Sequence, residues 1–245
     1  MPILGLHVLV ALCFAVHAVR SGQDRYWLFI LFAFPLLGSL VYAVAIWLPE
    51  ARHSRAGRQL VRGVQRRLDP TGELRAAQDA FDTAATIDNR LRLADALAEA
   101  GQSGEAVPHY EATLRGIHAN DPQLQVRLAR ALLEAARPRE ARERLDELIR
   151  RHPDFRSPAG HLIYARALAA EGDRAKARHE FDALVDYFSG LEAHAWYAET
   201  LAGWGEIDAA VQLRDDALRR AKRLPAHSRT MNREWLRRLE KIGAR

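Results

Sequence analysis

The amino-acid sequence predicts an all-α protein in which an N-terminal transmembrane helical hairpin precedes an α-solenoid of helix pairs. Three observations support this fold class. Two long apolar runs lie within residues 1–50, one spacing of small residues recurs four times within residues 87–224, and the final stretch, residues 225–245, is amphipathic. Residues 51–86 begin as a basic juxtamembrane segment and continue as a degenerate copy of the repeat.

The composition is that of a globular chain with a basic balance. The 245 residues carry a formal net charge of +5, supplied mainly by 33 arginines with only three lysines. This balance favours acidic partners or anionic lipid. The single cysteine, Cys13, excludes a disulfide framework or a thiolate metal site within one chain.

The two apolar runs cover residues 3–19 and 26–48 and are separated by a short polar stretch. A helix needs about 20 residues to cross the hydrocarbon core of a bilayer, and the second run exceeds this length. Tyr26 and Trp27 at one end and Trp47 at the other are placed as interfacial aromatic anchors. We therefore expect the second run to span a membrane.

The first run has three possible interpretations: a secretory signal, a lipoprotein signal or the first helix of a hairpin. It is short and contains His7 and His17, which makes it a marginal span. No basic n-region precedes it, as a signal peptide requires, and the residue before Cys13 is the large Leu12. These absences favour the hairpin.

The distribution of arginine predicts the orientation of this hairpin. Six arginines follow the second run within residues 52–67, whereas only Arg20 and Arg25 flank the polar stretch between the runs. Because positive residues favour the cytoplasmic side, we expect a multi-pass protein of a bacterial inner membrane with its repeat domain in the cytoplasm.

Residues 5–48 are also similar to a known membrane domain. A first apolar helix, an arginine-flanked turn, an aromatic-led second helix and the motif PLLGSLVY at residues 35–42 resemble the two-helix N-terminal domain of bacterial cardiolipin synthases and related phospholipase D proteins. Within this motif, Pro35 and Gly38 predict a tolerated kink or a close contact with the first helix. That family's catalysis needs the pattern H-x-K-x4-D twice, and no histidine here is followed two places later by lysine. The resemblance therefore implies a membrane hairpin joined to a non-catalytic part.

One spacing, A-x2-L-x3-[GA]-x4-A, predicts the solenoid. Its copies follow one another at offsets of 35, 36 and 33 residues, which is the period of helical-hairpin repeats. Closely crossing helices need a small residue, and alanine supplies it without loss of helix propensity. Where this spacing has glycine, the chain can turn in a left-handed conformation at the end of the first helix. The copies are Ala94/Leu97/Gly101/Ala106, Ala129/Leu132/Ala136/Ala141, Ala165/Leu168/Gly172/Ala177 and Ala198/Leu201/Gly205/Ala210.

With these positions, residues 87–224 resemble the tetratricopeptide repeat family, and Pro153 matches the repeat-ending proline of the second copy. The family's aromatic in the fourth second helix is replaced by Arg214. A degenerate fifth copy precedes the others, with Leu68, Gly72, Ala77, Phe81 and Ala84 at matching spacings but Gln65 at the crossing position. The family's bulky first position is occupied by Arg90, Gln125, His161 and His194 in the four copies.

The last stretch predicts a capping helix. Trp235, Leu236, Leu239 and Ile242 share one helical stripe, with arginine and lysine on the other. Such a helix covers the open end of a solenoid, although a basic amphipathic helix can also lie on anionic lipid. We favour the cap because an open solenoid end exposes apolar surface.

The sequence offers no signal for catalysis or for a bound cofactor. It contains no phosphate-binding loop, no dinucleotide fingerprint and no H-E-x-x-H motif. Its ten histidines are scattered, so we expect no metal site, and its basic charge lacks the motif and exposed aromatics of nucleic-acid binding. We therefore expect a protein that is neither an enzyme nor a nucleic-acid binder.

The resemblance to tetratricopeptide repeats implies a groove lined by the first helix of each pair. Carried onto this chain, its residues are Arg92, Asp95, Arg127, Arg130, Arg166, Trp196 and Glu199. We expect an acidic or C-terminal segment of a partner protein to lie across the arginines, with Trp196 as an apolar anchor. The alternative is that these arginines only pair with repeat acids such as Glu99 and Glu134.

The sequence thus predicts an inner-membrane scaffold that binds other proteins on the cytoplasmic side. A second interpretation, a non-catalytic accessory or regulatory subunit of phospholipid (cardiolipin) synthesis, rests on the resemblance of the hairpin.

Overall fold

A computed structural model describes residues 2–22, 24, 26–47, 71–188 and 190–243, and the chain divides into two compact units, residues 1–72 and 73–245. In the part described, every regular element is helical. The first unit contains α1 (Pro2–Arg20), α2 (Tyr26–Ala33) and α3 (Pro35–Tyr42), followed by a π-helical turn, Ala43–Trp47.

The second apolar run is therefore two helices rather than one. α2 ends at Ala33, and Pro35 starts α3 after Phe34, whose backbone is not helical (φ −136°, ψ 75°). Gly38 is required at this break, because a Cβ there would lie 2.6 Å from the carbonyl oxygen of Ile30. The close contact predicted for Gly38 thus exists, but it lies within the second run and not against the first helix.

The interior of the first unit is a small aromatic cluster around Tyr42. Tyr42 is fully buried, and its hydroxyl lies 3.1 Å from Nδ1 of His17 on α1. The Trp27 ring packs edge-on against Tyr42 at 5.3 Å between ring centroids. Trp27, predicted as an interfacial anchor, is therefore an interior residue of this unit.

Within the part of the chain that the structure describes, no helix is both long enough and apolar enough to cross a membrane. The two predicted transmembrane spans are thus not found. The arginines of residues 52–67, together with Gln65 and Leu68 of the degenerate copy, lie outside the described residues.

The second unit is a row of helix pairs. It begins with α4 (Gly72–Thr83), the second helix of the degenerate copy, and ends with two short helices, α13 (Ala226–Met231) and α14 (Arg233–Glu240). The four pairs between them are α5 (Ile87–Glu99) with α6 (Ser103–Thr113), α7 (Pro122–Glu134) with α8 (Pro138–Arg151), α9 (Pro158–Glu171) with α10 (Arg174–Tyr187), and α11 (Leu191–Gly203) with α12 (Ile207–Lys222).

Polar caps fix where several of these helices begin. Asp121 accepts hydrogen bonds from the backbone N–H groups of Gln123 and Leu124 at the start of α7, and Ser157 accepts one from Gly160 at the start of α9. Thr86 and Asp173 cap α5 and α10 in the same way. Each cap satisfies a backbone donor that the first turn of a helix leaves free.

The repeat spacing is explained by the helix crossings. The eight crossing alanines, two in each copy, are all fully buried at 0% exposure. Close crossings have no room for a larger side chain, so the space beside them is filled by neighbours such as Leu93, Leu128 and Phe181, which are also fully buried. The alanines are Ala94, Ala106, Ala129, Ala141, Ala165, Ala177, Ala198 and Ala210.

The glycines of the repeat spacing adopt the left-handed conformation that the sequence predicts, and Ala136 of the second copy adopts it as well. Gly101, Gly172 and Gly205 have φ values of 78°, 87° and 85°, and Ala136 has a φ of 58°. Ala136 is the one non-glycine residue with positive φ in the described part of the chain. The left-handed region is unfavourable for a residue with a Cβ, so the second copy keeps this turn at an energetic cost.

Residues 225–245, predicted as one capping helix, form the two helices α13 and α14 with a break at Asn232. α14 packs against α11 and α12. Leu239 and Ile242 are buried there, with Trp235 and Leu236 partly buried beside them. The apolar stripe of this segment thus covers the last helix pair.

Candidate protein-binding face

The first helices of the repeats form one continuous face. α7 packs against α9, and α9 contacts α11. The residue directly after the buried crossing alanine is Asp95, Arg130, Arg166 and Glu199 in successive copies. The face therefore presents an acid, two arginines and an acid in order along the solenoid.

The arginines at the N-terminal end of this face are paired. Arg92 and Glu73 form an ion pair of 2.9 Å, and Arg127 pairs with Asp95 at 3.0 Å. Asp95 also accepts a hydrogen bond of 2.7 Å from the hydroxyl of Tyr110. Burial of Tyr110, together with this hydrogen bond, raises the pKa of the phenol well above its ordinary value. The charge of Arg127 is thus locally compensated.

The two middle arginines differ, because neither has an ion pair within the described residues. Arg130 is exposed. The pKa of Arg166 is lowered to about 10, mainly by burial and also by neighbouring Arg130 and Arg238, whereas Glu134 and Glu192 act in the opposite direction. Arg166 remains charged at neutral pH, in a site that already contains other guanidinium groups.

Arg166 is held in place by Trp196. Its guanidinium carbon lies 3.5 Å from the centroid of the Trp196 ring, and that of Arg238, from α14, lies 4.0 Å from the same centroid. Cation–π contacts of this kind orient a guanidinium group without neutralising it. The ring of Trp196 is partly buried beneath two cations, so it does not present an open apolar surface.

Arg238 completes the C-terminal end of the face. It forms two hydrogen bonds to the Glu199 carboxylate, one of them 2.7 Å from Nε to Oε1. The hydrogen bonds to Glu199 raise the pKa of Arg238 above its ordinary value. The sequence analysis did not assign Arg238 to the face. A signal existed, because Arg238 follows Trp235 by three residues and therefore lies beside the apolar stripe that packs against the last repeat.

The structure thus brings the predicted residues onto one face but divides them into two groups. Arg92, Arg127 and Glu199 are engaged in ion pairs, whereas Arg130 and Arg166 form none with the described residues. The predicted alternative partner Glu134 instead accepts a hydrogen bond from Ser103 at 3.0 Å. Whether a partner binds these residues stays a prediction.

The described residues contain no cluster of three or more histidine, cysteine or acidic side chains placed to hold a metal ion.

Residues 97–166 form a tetratricopeptide repeat region. They match the family model described as Tetratricopeptide repeat, from Leu97 of the first copy to Arg166 of the third. Repeats of this kind build extended concave surfaces that bind other proteins, which indicates a protein–protein interaction scaffold. A comparison with curated proteins finds no match. Nothing in the comparisons supports the resemblance of residues 5–48 to the cardiolipin synthase membrane domain.

Proposed function

We propose that the chain is a non-catalytic scaffold that binds an acidic segment of a partner protein across Arg130 and Arg166. One observation supports this proposal most directly: these two arginines lie at the centre of the repeat face and form no ion pair with any described residue, while the arginines on either side are paired. A partner's carboxylates would supply the missing negative charge.

The energetics favour arginine for this role. Two like charges held close together repel, and an anion placed between them removes this repulsion as well as forming new bonds. Arginine can bind a carboxylate through two parallel N–H···O bonds, and hydrogen bonds to charged groups contribute roughly 1.5–3 kcal/mol each. The stack on Trp196 holds Arg166 in one orientation, which lowers the entropy lost when a partner binds.

The helix spacing suggests the form of the partner segment. α7 and α9 carry Arg130 and Arg166 and pack directly against each other, and packed helices lie about 8–10 Å apart. A segment in the polyproline II conformation advances about 3.1 Å per residue, and its side chains return to the same side every three residues. Two acidic residues three positions apart in such a segment would therefore reach both arginines.

We test this proposal with a labelled peptide that carries two aspartates three positions apart, added to the full chain in a mild detergent. Arg130→Glu should weaken binding at least about tenfold, because an attraction becomes a repulsion. Arg139→Glu is the matched control, since Arg139 on α8 is 79% exposed and the charge change is identical. Equal loss in both variants, or no loss in either, would reject the assignment of this face.

We also propose that the first unit holds the chain at a bacterial inner membrane with the repeats on the cytoplasmic side. Its support is the outer surface of this unit, because large exposed apolar patches mark membrane or protein contact sites. The exposed side chains include Leu12, Val16, Val19, Phe29, Phe32, Phe34, Leu37 and Leu40. The orientation rests on the arginine count of residues 52–67.

A pair of fusions tests this orientation. Alkaline phosphatase joined after residue 60 should be inactive, and a fluorescent protein joined at the same point should be fluorescent, because the junction would be cytoplasmic. An active phosphatase fusion would place the repeats on the opposite side. Purification from membranes that recovers only lipid-synthesis enzymes would instead favour the accessory-subunit interpretation.

A further inference from the structure

A strongly basic segment lies near the C-terminal end of the chain and carries as many cationic residues as the arginine-rich residues 52–67. Residues 219–233, which we call the basic corner, contain six arginine or lysine residues and no aspartate or glutamate, whereas the whole chain has a formal net charge of only +5. The six are Arg219, Arg220, Lys222, Arg223, Arg229 and Arg233.

All six side chains are exposed in the folded unit. They lie on the last turn of α12 and the residue that follows it, on α13 and at the first residue of α14. Arg219 pairs with Asp216, and Arg220 contacts the ring of His194. For the other four, the described part of the chain supplies no ion pair.

Helix stability explains only part of this cluster. Cations in the last turn of α12 interact favourably with the negative end of the helix dipole. Arg233 is the first residue of α14, where a cation meets the positive end of the dipole and is unfavourable. Arg229 and Lys222 come from different helices and line the same open cleft as Arg219, and Asp215 and Glu240 line this cleft too. The helix dipoles therefore give no reason for Arg233, whereas Arg229 lies in the last turn of the short helix α13.

An exposed apolar side chain lies within the same segment. Met231 is 72% exposed, the highest exposure among the large apolar side chains of the second unit. It is two residues from both Arg229 and Arg233. Cations that surround an exposed apolar side chain match the surface of a bilayer, where phosphate groups lie just above the hydrocarbon.

We propose that the basic corner docks onto the anionic phospholipid headgroups of a membrane. The cations contact lipid phosphates, and Met231 enters the headgroup layer. Nucleic acid is the less suitable ligand, because residues 219–233 contain no phenylalanine, tyrosine or tryptophan on which a base could stack. The apolar stripe of α14 is already used against α11 and α12, so docking needs no unfolding of the cap.

This inference rests on the proposed membrane attachment of the first unit. A chain that is already held at a bilayer presents its basic corner at a high effective concentration, so a modest electrostatic attraction suffices for docking. Docking would hold the repeat unit against the bilayer in one orientation. The content of anionic lipid in the membrane would then control the orientation in which the repeat face is available to a partner.

The experiment uses the full chain in lipid nanodiscs, with His227→Cys labelled by a fluorophore in a Cys13→Ser background. Lipids with a nitroxide on the headgroup quench the label when the corner docks. We expect strong quenching in discs that contain phosphatidylglycerol, little in pure phosphatidylcholine, and loss of the difference in high salt. Arg229→Glu with Arg233→Glu should lower the ratio of docked to undocked chain at least about tenfold.

Arg139→Glu with Arg150→Glu is the control, since both side chains are exposed on α8 and the net charge changes equally. Equal quenching in the two lipids, or equal effects of the two double variants, would overturn the proposal. So would binding of single-stranded nucleic acid that needs Arg229 and Arg233 while the lipid dependence is absent. Incorporation of the chain into pure phosphatidylcholine discs depends on the first unit alone. A chain that does not enter these discs would therefore contradict the proposed membrane attachment, and this result is distinct from a lack of docking by the basic corner.

Discussion

Arg238 and Glu199 join the C-terminal helix to the repeat face through a bidentate ion pair. Nε of Arg238 donates to Oε1 of Glu199 at 2.7 Å, and Nη2 donates to Oε2. The same guanidinium group covers the ring of Trp196. The cap therefore forms part of the binding face as well as covering the end of the solenoid.

The first prediction concerns the stability that this contact supplies. Arg238→Ala should lower the free energy of unfolding by about 1–2 kcal/mol, because it removes both a hydrogen-bonded ion pair and a cation–π contact. The two side chains are only 24% and 33% exposed, so solvent screens the pair less than a surface pair. Urea unfolding monitored by circular dichroism measures the change.

Arg237→Ala provides the comparison for this prediction. Arg237 is exposed on the same helix, so its loss should change the free energy of unfolding by less than about 0.5 kcal/mol. A similar loss in both variants would show that the Arg238 contacts add nothing beyond the helix itself.

The second prediction concerns the left-handed turns between paired helices. Gly172→Ala should destabilise the fold by about 1–2 kcal/mol, because a Cβ is unfavourable at φ 87°. No heavy atom lies within 4 Å of that Cβ position, so the cost is conformational and not steric. Ala136→Gly should have the opposite effect, offset in part by the greater freedom of glycine in the unfolded chain.

Thermal and urea unfolding of the two variants, measured side by side, test this pair. If Gly172→Ala is neutral, the turn can adopt another conformation, and the reason given for the glycine in the repeat spacing is wrong.

The third prediction is a loss of stability in mild acid. Burial of His194 lowers its pKa below the ordinary value of 6.5, and neighbouring Arg220 lowers it further. The unfolded chain therefore binds a proton at a higher pH than the folded chain does. Stability should be constant above about pH 6.5 and should fall as the pH decreases below it.

Urea midpoints between pH 8 and pH 5 measure this dependence. His194→Gln should reduce the slope, since the replacement is neutral throughout the range, whereas the exposed His227→Gln should leave it unchanged. His109 contributes in the same direction, because burial and Arg90 lower its pKa, so some slope should remain in His194→Gln. An unaltered slope in that variant would mean that His194 is not the titrating group.

Much of the repeat unit could be predicted from the sequence because its constraints are local and repeated. The small-residue positions recur at a fixed spacing, and dipeptides such as Asp121–Pro122 and Ser157–Pro158 mark helix starts. Each of these signals depends on residues only a few positions apart. The same locality explains the predicted left-handed turn at Gly172.

The remaining features depend on contacts between distant residues. The stack of Arg166, Trp196 and Arg238 joins side chains 30 and 42 positions apart, and no periodicity encodes such a meeting. The break at Phe34 was predicted only as a kink, because hydropathy reports the apolar character of a run and not its continuity as a helix. Trp27 was assigned to an interface for the same reason, since hydropathy does not show that Tyr42 covers it.

The fourth prediction connects the paired and unpaired arginines of the face. Asp95→Asn keeps the shape of the side chain and an oxygen that accepts the hydrogen bond from Tyr110, but it removes the charge that compensates Arg127. A third arginine then becomes available beside Arg130. The affinity for the two-aspartate peptide should increase about three- to tenfold at low salt, and this increase should become smaller as the salt concentration rises. Fluorescence anisotropy of the labelled peptide measures the affinity under both conditions. Glu143→Gln on α8 removes the same charge away from the face and should leave the affinity unchanged. If Asp95→Asn weakens binding or has no effect, the acidic segment does not lie along the arginines of the first helices.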